Sequence, residues 1–177
     1  MGTDDVLSGR RRVYESERSR VTRASVDGRV VIRKEPLGPD AERRLRHEAA
    51  ILERLRGVVG VAQVLEATDH PPSIVMADAG ATSAAELTTP LDVDELLPLA
   101  VALVRAVAGM HARGVMHRDL SPANILVSAG GEPCLISFGL ATTLAGIRPE
   151  LTQHAEMAGT LAYVAPEQTG RTARQAS

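Results

Sequence analysis

The chain has 177 residues, 44% of them hydrophobic, and a formal net charge of −2; this suits one domain or two small lobes and leaves no charge excess to recruit nucleic acid or an anionic membrane. Two tyrosines, one phenylalanine and no tryptophan nearly exclude base stacking, and the longest apolar stretch, 96–104, is too short to span a membrane. The single cysteine, Cys134, excludes an internal disulfide and indicates a buried, inert thiol in a reducing cytoplasm, where we expect the protein.

Strand signals fill the first 35 residues. The segment Arg29–Lys34 is rich in β-branched residues and follows an Asp27-Gly28 turn signal, which indicates a hairpin. Two further strands are predicted at 61–67 and 73–77. The first half is therefore predicted to be a small antiparallel sheet, with one helix inserted between its strands.

That helix is predicted to start at Pro39-Asp40 and to end at Gly57, because apolar residues recur between them at helical spacing. Glu48 lies on the apolar stripe, so we expect its carboxylate to point inward and to need a cation. The alternative is an exposed pair with Arg44, which would contribute little.

A second helix is predicted from Asp92 or Asp94 to Arg113. Its apolar face is broad, so we expect it to be buried. A short strand at Ile125–Val127 and a returning strand at Cys134–Ile136 follow.

The segment His117–Leu126, with the sequence HRDLSPANIL, is the most informative part of the chain. Asp119 and Asn124 stand five positions apart on a polar loop that leads into an apolar strand. This spacing suits a carboxylate that holds a hydroxyl nucleophile and an amide that holds a magnesium ion. For an isolated pair at this spacing, two turn residues on a surface loop would be the better explanation, but that explanation does not account for the apolar positions around the pair.

This segment resembles the His-Arg-Asp-Leu-x-x-x-x-Asn catalytic loop of protein kinases, and from about residue 10 to residue 171 the landmarks of a serine/threonine protein kinase follow in order. The resemblance implies an α+β, protein-kinase-like two-lobe fold. Residues 1–80 would form the N-lobe, a five-stranded sheet plus helix C, and residues 81–177 a partial C-lobe. Gln168–Arg171 resembles, more narrowly, bacterial kinase domains that head large sensor-kinase fusions.

The resemblance also implies ATP and Mg²⁺ as cofactors. Tyr14, Ser16 and Ser19 stand where kinases have the three glycines of the nucleotide loop. Two interpretations stay open: serine hydroxyls donate to the phosphates, or the hairpin binds nothing. The remaining nucleotide-binding positions that the resemblance implies are Val21 after the loop, Met76 at the back of the adenine pocket, and the hinge residues Ala77, Asp78 and Ala79.

The phosphate-binding lysine of kinases has two candidates. The apolar pattern of Val30-Val31-Ile32-Arg33 puts Arg33 in that place, whereas side-chain chemistry favours Lys34. Consecutive residues face opposite sides of a strand unless the strand is bulged. In either case the expected partner is Glu48, which matches the ion-pairing glutamate of helix C.

For catalysis, the resemblance implies Asp119 as the base and Asn124 as a magnesium ligand. Ser121 replaces the usual lysine, and Ser137 replaces the aspartate of the Asp-Phe-Gly segment, which is the main magnesium ligand of the family. We therefore expect a weakened metal site. Thr160, near the end of the activation segment, indicates serine or threonine acceptors. For Thr142, Thr143 and Thr152 two interpretations stay open: they accept phosphate, or, as we favour, they only belong to a mobile hydroxyl-bearing loop.

The resulting expectation is ATP-dependent phosphorylation of serine or threonine in a protein substrate, impaired by Ser137 and by truncation. The alternative is a non-catalytic pseudokinase or truncated fragment that binds a nucleotide or a partner domain. We expect no nucleic-acid and no membrane partner. The early end of the chain also predicts an exposed apolar patch on the second helix.

Overall fold

The computed structural model describes residues 10–26, 28–69, 72–144 and 159–169. The chain divides into two compact units, one drawn from residues 1–56 and 62–79 and the other from 57–61 and 80–177. Among the positions predicted above, Asp27, Thr152 and the end of the Gln168–Arg171 motif lie outside the described residues.

The first unit is a five-stranded antiparallel sheet with one helix, as the sequence predicted. The strands lie in the order β1-β2-β3-β5-β4. Their bounds are Arg11–Glu15 (β1), Ser19–Val26 (β2), Arg29–Pro36 (β3), Val64–Asp69 (β4) and Pro72–Ala77 (β5). Helix α1 spans Ala41–Arg54 and lies in the chain between β3 and β4.

The apolar stripe of α1 packs against one face of this sheet. Leu45, Ile51 and Leu52 are buried on the helix, and Ile74 of β5 is completely buried. Ile74 lies directly opposite Lys34 of β3, and directly opposite residues of neighbouring strands share a face. The helix-facing side of the sheet therefore carries Lys34 beside an apolar core.

Among its described residues, the second unit contains helix α2, Val93–Ala112, and five short strands. The strands are Thr82–Ser83 (β6), Val115–Met116 (β7), Ile125–Val127 (β8), Pro133–Leu135 (β9) and Thr142–Thr143 (β10). They form a three-stranded sheet, β6-β8-β9, and a two-stranded sheet, β7-β10. Cys134 lies in β9, where burial raises the pKa of its thiol.

The prediction that α2 is buried is wrong for most of its length. Only Ala106 and Met110 are buried, whereas Val93, Leu96, Leu97, Val101 and Val104 are each between 47% and 66% exposed. Among the described residues, α2 packs against β7, β9 and the 57–61 segment. An exposed apolar patch therefore remains on the helix, and within the described residues no helix is long and apolar enough to cross a membrane.

Gly60 is required where the 57–61 segment meets α2. Its φ is +77°, and a Cβ atom added there would lie 2.6 Å from Cβ of Ala106. We predict that Gly60→Ala lowers the free energy of unfolding by about 3 kcal/mol, because it combines backbone strain with overpacking. Gly57→Ala is the matched control, since Gly57 has φ +78° and open space around it, and it should cost about 1 kcal/mol. Equal losses in urea unfolding would disprove the close-packing argument.

Candidate functional site

Lys34 and Glu48 form a mostly buried ion pair in the first unit. Nζ of Lys34 lies 2.7 Å from Oε1 and 2.6 Å from Oε2 of Glu48. Their side chains are 17% and 6% exposed. Glu48 points inward to a cation, as its position on the stripe predicted, and Arg44 instead donates to backbone carbonyls. The pair holds an ammonium group in place on the helix-facing side of β3.

The register of β3 decides which of Arg33 and Lys34 faces Glu48. Lys34 lies opposite Val21 and therefore shares its face of the sheet, whereas Arg33 lies opposite Thr22 on the other face. Arg33 pairs with Glu35, with Nε 3.2 Å from Oε1. Arg33 therefore lies on the face of the sheet opposite to that of Lys34, because consecutive residues of a strand face opposite sides. The candidate chosen by chemistry, Lys34, makes the contact with Glu48.

The positions implied for adenine binding lie along the same unit. Met76 is opposite Ile32 of β3, and Ile32 shares a face with Lys34 two residues away. The Ala77 amide donates to the Gln63 carbonyl at 3.0 Å, and the side chains of Ala77 and Ala79 are exposed. Val21, Ile32, Lys34 and Met76 therefore form a continuous surface on one face of the sheet.

Asp78, which sequence reasoning assigned to the hinge without a side-chain role, binds Arg23 of β2. The Arg23 guanidinium lies 2.7 Å from one carboxylate oxygen of Asp78 through Nε and 3.2 Å from the other through Nη2. The sequence carries no signal for this pair, since 55 residues separate its members. The contact ties the end of β5 to β2.

In the second unit, the carboxylate of Asp119 is held by hydrogen bonds to both oxygens. Asn124 Nδ2 donates to Oδ2 at 2.8 Å and to the Asp119 carbonyl at 2.9 Å. Thr160 donates to Oδ1 through its backbone amide at 2.7 Å and its hydroxyl at 2.8 Å. Asp119 and Asn124 are therefore brought together as predicted. The contact of Thr160 with Asp119 was missed, because a separation of 41 residues leaves no local pattern.

His117 is buried and holds the backbone of this loop through hydrogen bonds. It is 1% exposed, and its Nε2 donates to the Ile136 carbonyl at 2.9 Å while its Nδ1 accepts from the Asp119 amide at 3.3 Å. These two bonds require a neutral ring with its proton on Nε2. The ring also packs on Phe138, with centroids 4.7 Å apart. His117 thereby fixes the backbone around Asp119. The sequence motif includes this histidine but gives no indication of its role.

Ser137 follows a residue that is bonded to the backbone of Asn124, since the Ile136 amide donates to the Asn124 carbonyl at 3.1 Å. Ser137 has φ 66° and ψ 57°, a left-handed conformation that favours aspartate or asparagine over serine. Ser121, at the position where kinases have lysine, is 2% exposed, and its hydroxyl has no hydrogen-bond partner among the described residues.

These residues do not fit a magnesium ion well. Mg²⁺ prefers anionic oxygen ligands, but Asn124 and Ser137 offer only a neutral amide oxygen and a hydroxyl, and the Asp119 carboxylate is engaged by its own chain. No group of three or more histidine, cysteine, aspartate or glutamate residues suited to a metal occurs within the described part of the chain.

Comparison with known proteins identifies the family to which these features belong. Residues 22–177 match the protein kinase domain family. The chain is 40% identical over 137 residues to a probable serine/threonine-protein kinase, PkwA, of Thermomonospora curvata, and 38% identical over 132 residues to the serine/threonine-protein kinase PknK of Mycobacterium tuberculosis. The alignments cover 73% and 71% of this chain but 18% and 12% of those relatives. Because the family match covers most of its length, the chain belongs to the protein kinase domain family.

Proposed function

We propose that the chain transfers phosphate from ATP to serine or threonine hydroxyls of a protein substrate, with low efficiency. The observation that carries this proposal is the Asp119 carboxylate, oriented by Asn124 and Thr160. The match to serine/threonine kinases over most of the chain supports the acceptor class. In this proposal, residues 1–80 serve as the N-lobe and residues 81–177 as part of the C-lobe.

Each candidate residue has a defined part in the transfer. Lys34, held by Glu48, binds the phosphates, while Val21, Met76, Ala77 and Ala79 contact the adenosine moiety. The acceptor hydroxyl gives its proton to the Asp119 carboxylate, its oxygen bonds to the γ-phosphorus, and ADP leaves. Among the described residues, Oδ2 of Asp119 accepts only the hydrogen bond from Asn124, so this oxygen keeps a lone pair that can take the proton. The rate is reduced because Ser121 and Ser137 supply no charge near the transferred group.

A nucleotide-binding module without transfer is the second candidate. The observation that favours it is Ser137, since a hydroxyl replaces the carboxylate that kinases use for magnesium. This candidate predicts that ATP raises the melting temperature equally with and without magnesium, and that no phosphate reaches an acceptor.

The two candidates are separated by a transfer assay with radiolabelled ATP and a generic protein acceptor. We predict measurable transfer that falls about a hundredfold in Asp119→Asn, because a positioned base contributes at least that much. Asp94→Asn is the matched control, since Asp94 lies in the first turn of α2, outside the proposed machinery. Transfer that is unchanged in Asp119→Asn would contradict the proposed role of Asp119, and no transfer with retained ATP binding would favour the second candidate.

A further inference from the structure

The turn between β1 and β2 is closed by its own hydrogen bonds. The Ser16 hydroxyl oxygen accepts from the backbone amides of Arg18 at 3.3 Å and Ser19 at 3.2 Å. The Ser16 amide in turn donates to the Ser19 carbonyl at 2.9 Å. Three backbone amides of this turn are therefore already engaged within it.

Arg44 of α1 ties the same turn to the segment that precedes the helix. Its guanidinium donates to three backbone carbonyls: Arg18 at 3.3 Å, Leu37 at 2.7 Å and Pro39. The Leu37 amide also donates to the Arg18 carbonyl at 2.8 Å. One side chain thus connects the tip of the turn to two residues of the β3–α1 connection.

Close packing reinforces this connection. Gly38 has φ +73°, and a Cβ atom added there would lie 3.0 Å from the Glu17 carbonyl oxygen. The backbone at the turn therefore lies almost against the backbone at Gly38. Two cations that flank the turn, Arg12 and Arg20, are engaged as well, because Glu15 pairs with Arg20 at 3.0 Å and with Arg12 at 3.2 Å.

A phosphate-binding turn works by offering unpaired backbone amides to phosphate oxygens. The backbone amides of Ser16, Arg18 and Ser19 already donate hydrogen bonds within the turn, so they are not available to a phosphate group. The bond from Arg44 to the Arg18 carbonyl also holds the turn against movement toward a ligand. Lys34 binds the α- and β-phosphates in the family's arrangement, and these are common to ADP and ATP. ATP differs from ADP by its γ-phosphate. A turn whose amides are already bonded cannot bind this γ-phosphate, whereas Lys34 can still bind the two phosphates that the nucleotides share.

We infer that Ser16 and Arg44 are specificity-determining residues, which lock the β1–β2 turn so that the protein binds ADP and ATP with nearly equal affinity. This inference rests on the proposed function, because it concerns the same nucleotide site. It also answers the question that the sequence left open about the serines: the Ser16 hydroxyl holds the turn itself.

The test measures Kd for ADP and ATP by calorimetry, with magnesium chelated. We expect the two values to agree within about threefold in the wild-type protein, and we expect Ser16→Gly to acquire an ATP preference of about tenfold, since freed amides can bind the γ-phosphate. Arg44→Met should shift the ratio in the same direction. Arg43→Met is the matched control, since Arg43 pairs with Asp40 in a largely exposed position, and it should leave the ratio unchanged.

A wild-type ATP preference of about thirtyfold or more that disappears in Ser16→Ala would overturn the inference, because the hydroxyl would then contact phosphate. Amide hydrogen exchange provides a readout that needs no nucleotide. The amides of Arg18 and Ser19 should exchange slowly in the wild-type protein and faster in Ser16→Ala; fast exchange in both proteins would overturn the lock. Absence of binding by either nucleotide, with these amides protected, would contradict the proposed function and leave the lock supported.

Discussion

A Glu48→Ala variant is expected to lose about 3 kcal/mol of unfolding free energy, because it leaves the Lys34 ammonium mostly buried without its partner. Glu42→Ala on the same helix is the matched control. Glu42 pairs with Arg46 at 2.8 Å, but the two side chains are 55% and 65% exposed, so its loss should cost less than about 1 kcal/mol. Urea unfolding followed by far-ultraviolet circular dichroism measures both values, since the chain has no tryptophan.

The double variant Lys34→Met/Glu48→Leu tests the cause of this loss. Removal of both charges leaves no unpaired ion, so the double variant should regain most of the stability that Glu48→Ala loses. It should nevertheless bind ATP more weakly than the wild-type protein, because the ammonium group that we propose as the phosphate ligand is gone. A Glu48→Ala variant as stable as Glu42→Ala would show that the pair is solvated in solution, and it would remove the support for Lys34 as a positioned phosphate ligand.

A Ser137→Asp variant is expected to gain phosphate transfer by about a hundredfold to a thousandfold in the presence of magnesium. The backbone at Ser137 is left-handed, which aspartate tolerates better than serine. The new carboxylate would supply the anionic oxygen that magnesium prefers. The gain is measured as the initial rate of transfer to a generic acceptor, with magnesium and with a chelator.

Ser137→Asn is the matched control for this gain. Asparagine has nearly the shape of aspartate and the same tolerance of the left-handed conformation, but it carries no charge. We expect it to raise thermal stability slightly and to leave the transfer rate almost unchanged. Equal rates in the two variants, or a gain in Ser137→Asp that persists in chelator, would show that the missing carboxylate does not limit the reaction.

Several features of the fold and the site could be predicted from local pattern. The position of Glu48 on a helical stripe predicted its inward carboxylate, because the 3.6-residue period assigns each helical residue to a face. The spacing of Asp119 and Asn124 likewise predicted that their side chains would meet. In both cases the relevant residues are within five positions of each other or on one regular element.

Other features depended on contacts between distant parts of the chain. The choice of Lys34 over Arg33 required the register with β2, because alternation alone leaves both faces possible. The exposure of Val101 and Val104 depended on which elements pack against α2, and apolar character is only a tendency to be buried. The bonds of Thr160 to Asp119 and of Arg44 to the β1–β2 turn join separate elements, so no local period encodes them.

The two-residue strands β6, β7 and β10 were not predicted from the sequence. The amino-acid sequence alone was sufficient for the family and for the order of the longer strands and the helices along the chain. These properties reside in residue type and short spacing. The three-dimensional arrangement was needed for the partner of Glu48, the engagement of both Asp119 oxygens and the closure of the β1–β2 turn. Each of these is a hydrogen bond or ion pair whose geometry exists only after separate elements have packed together.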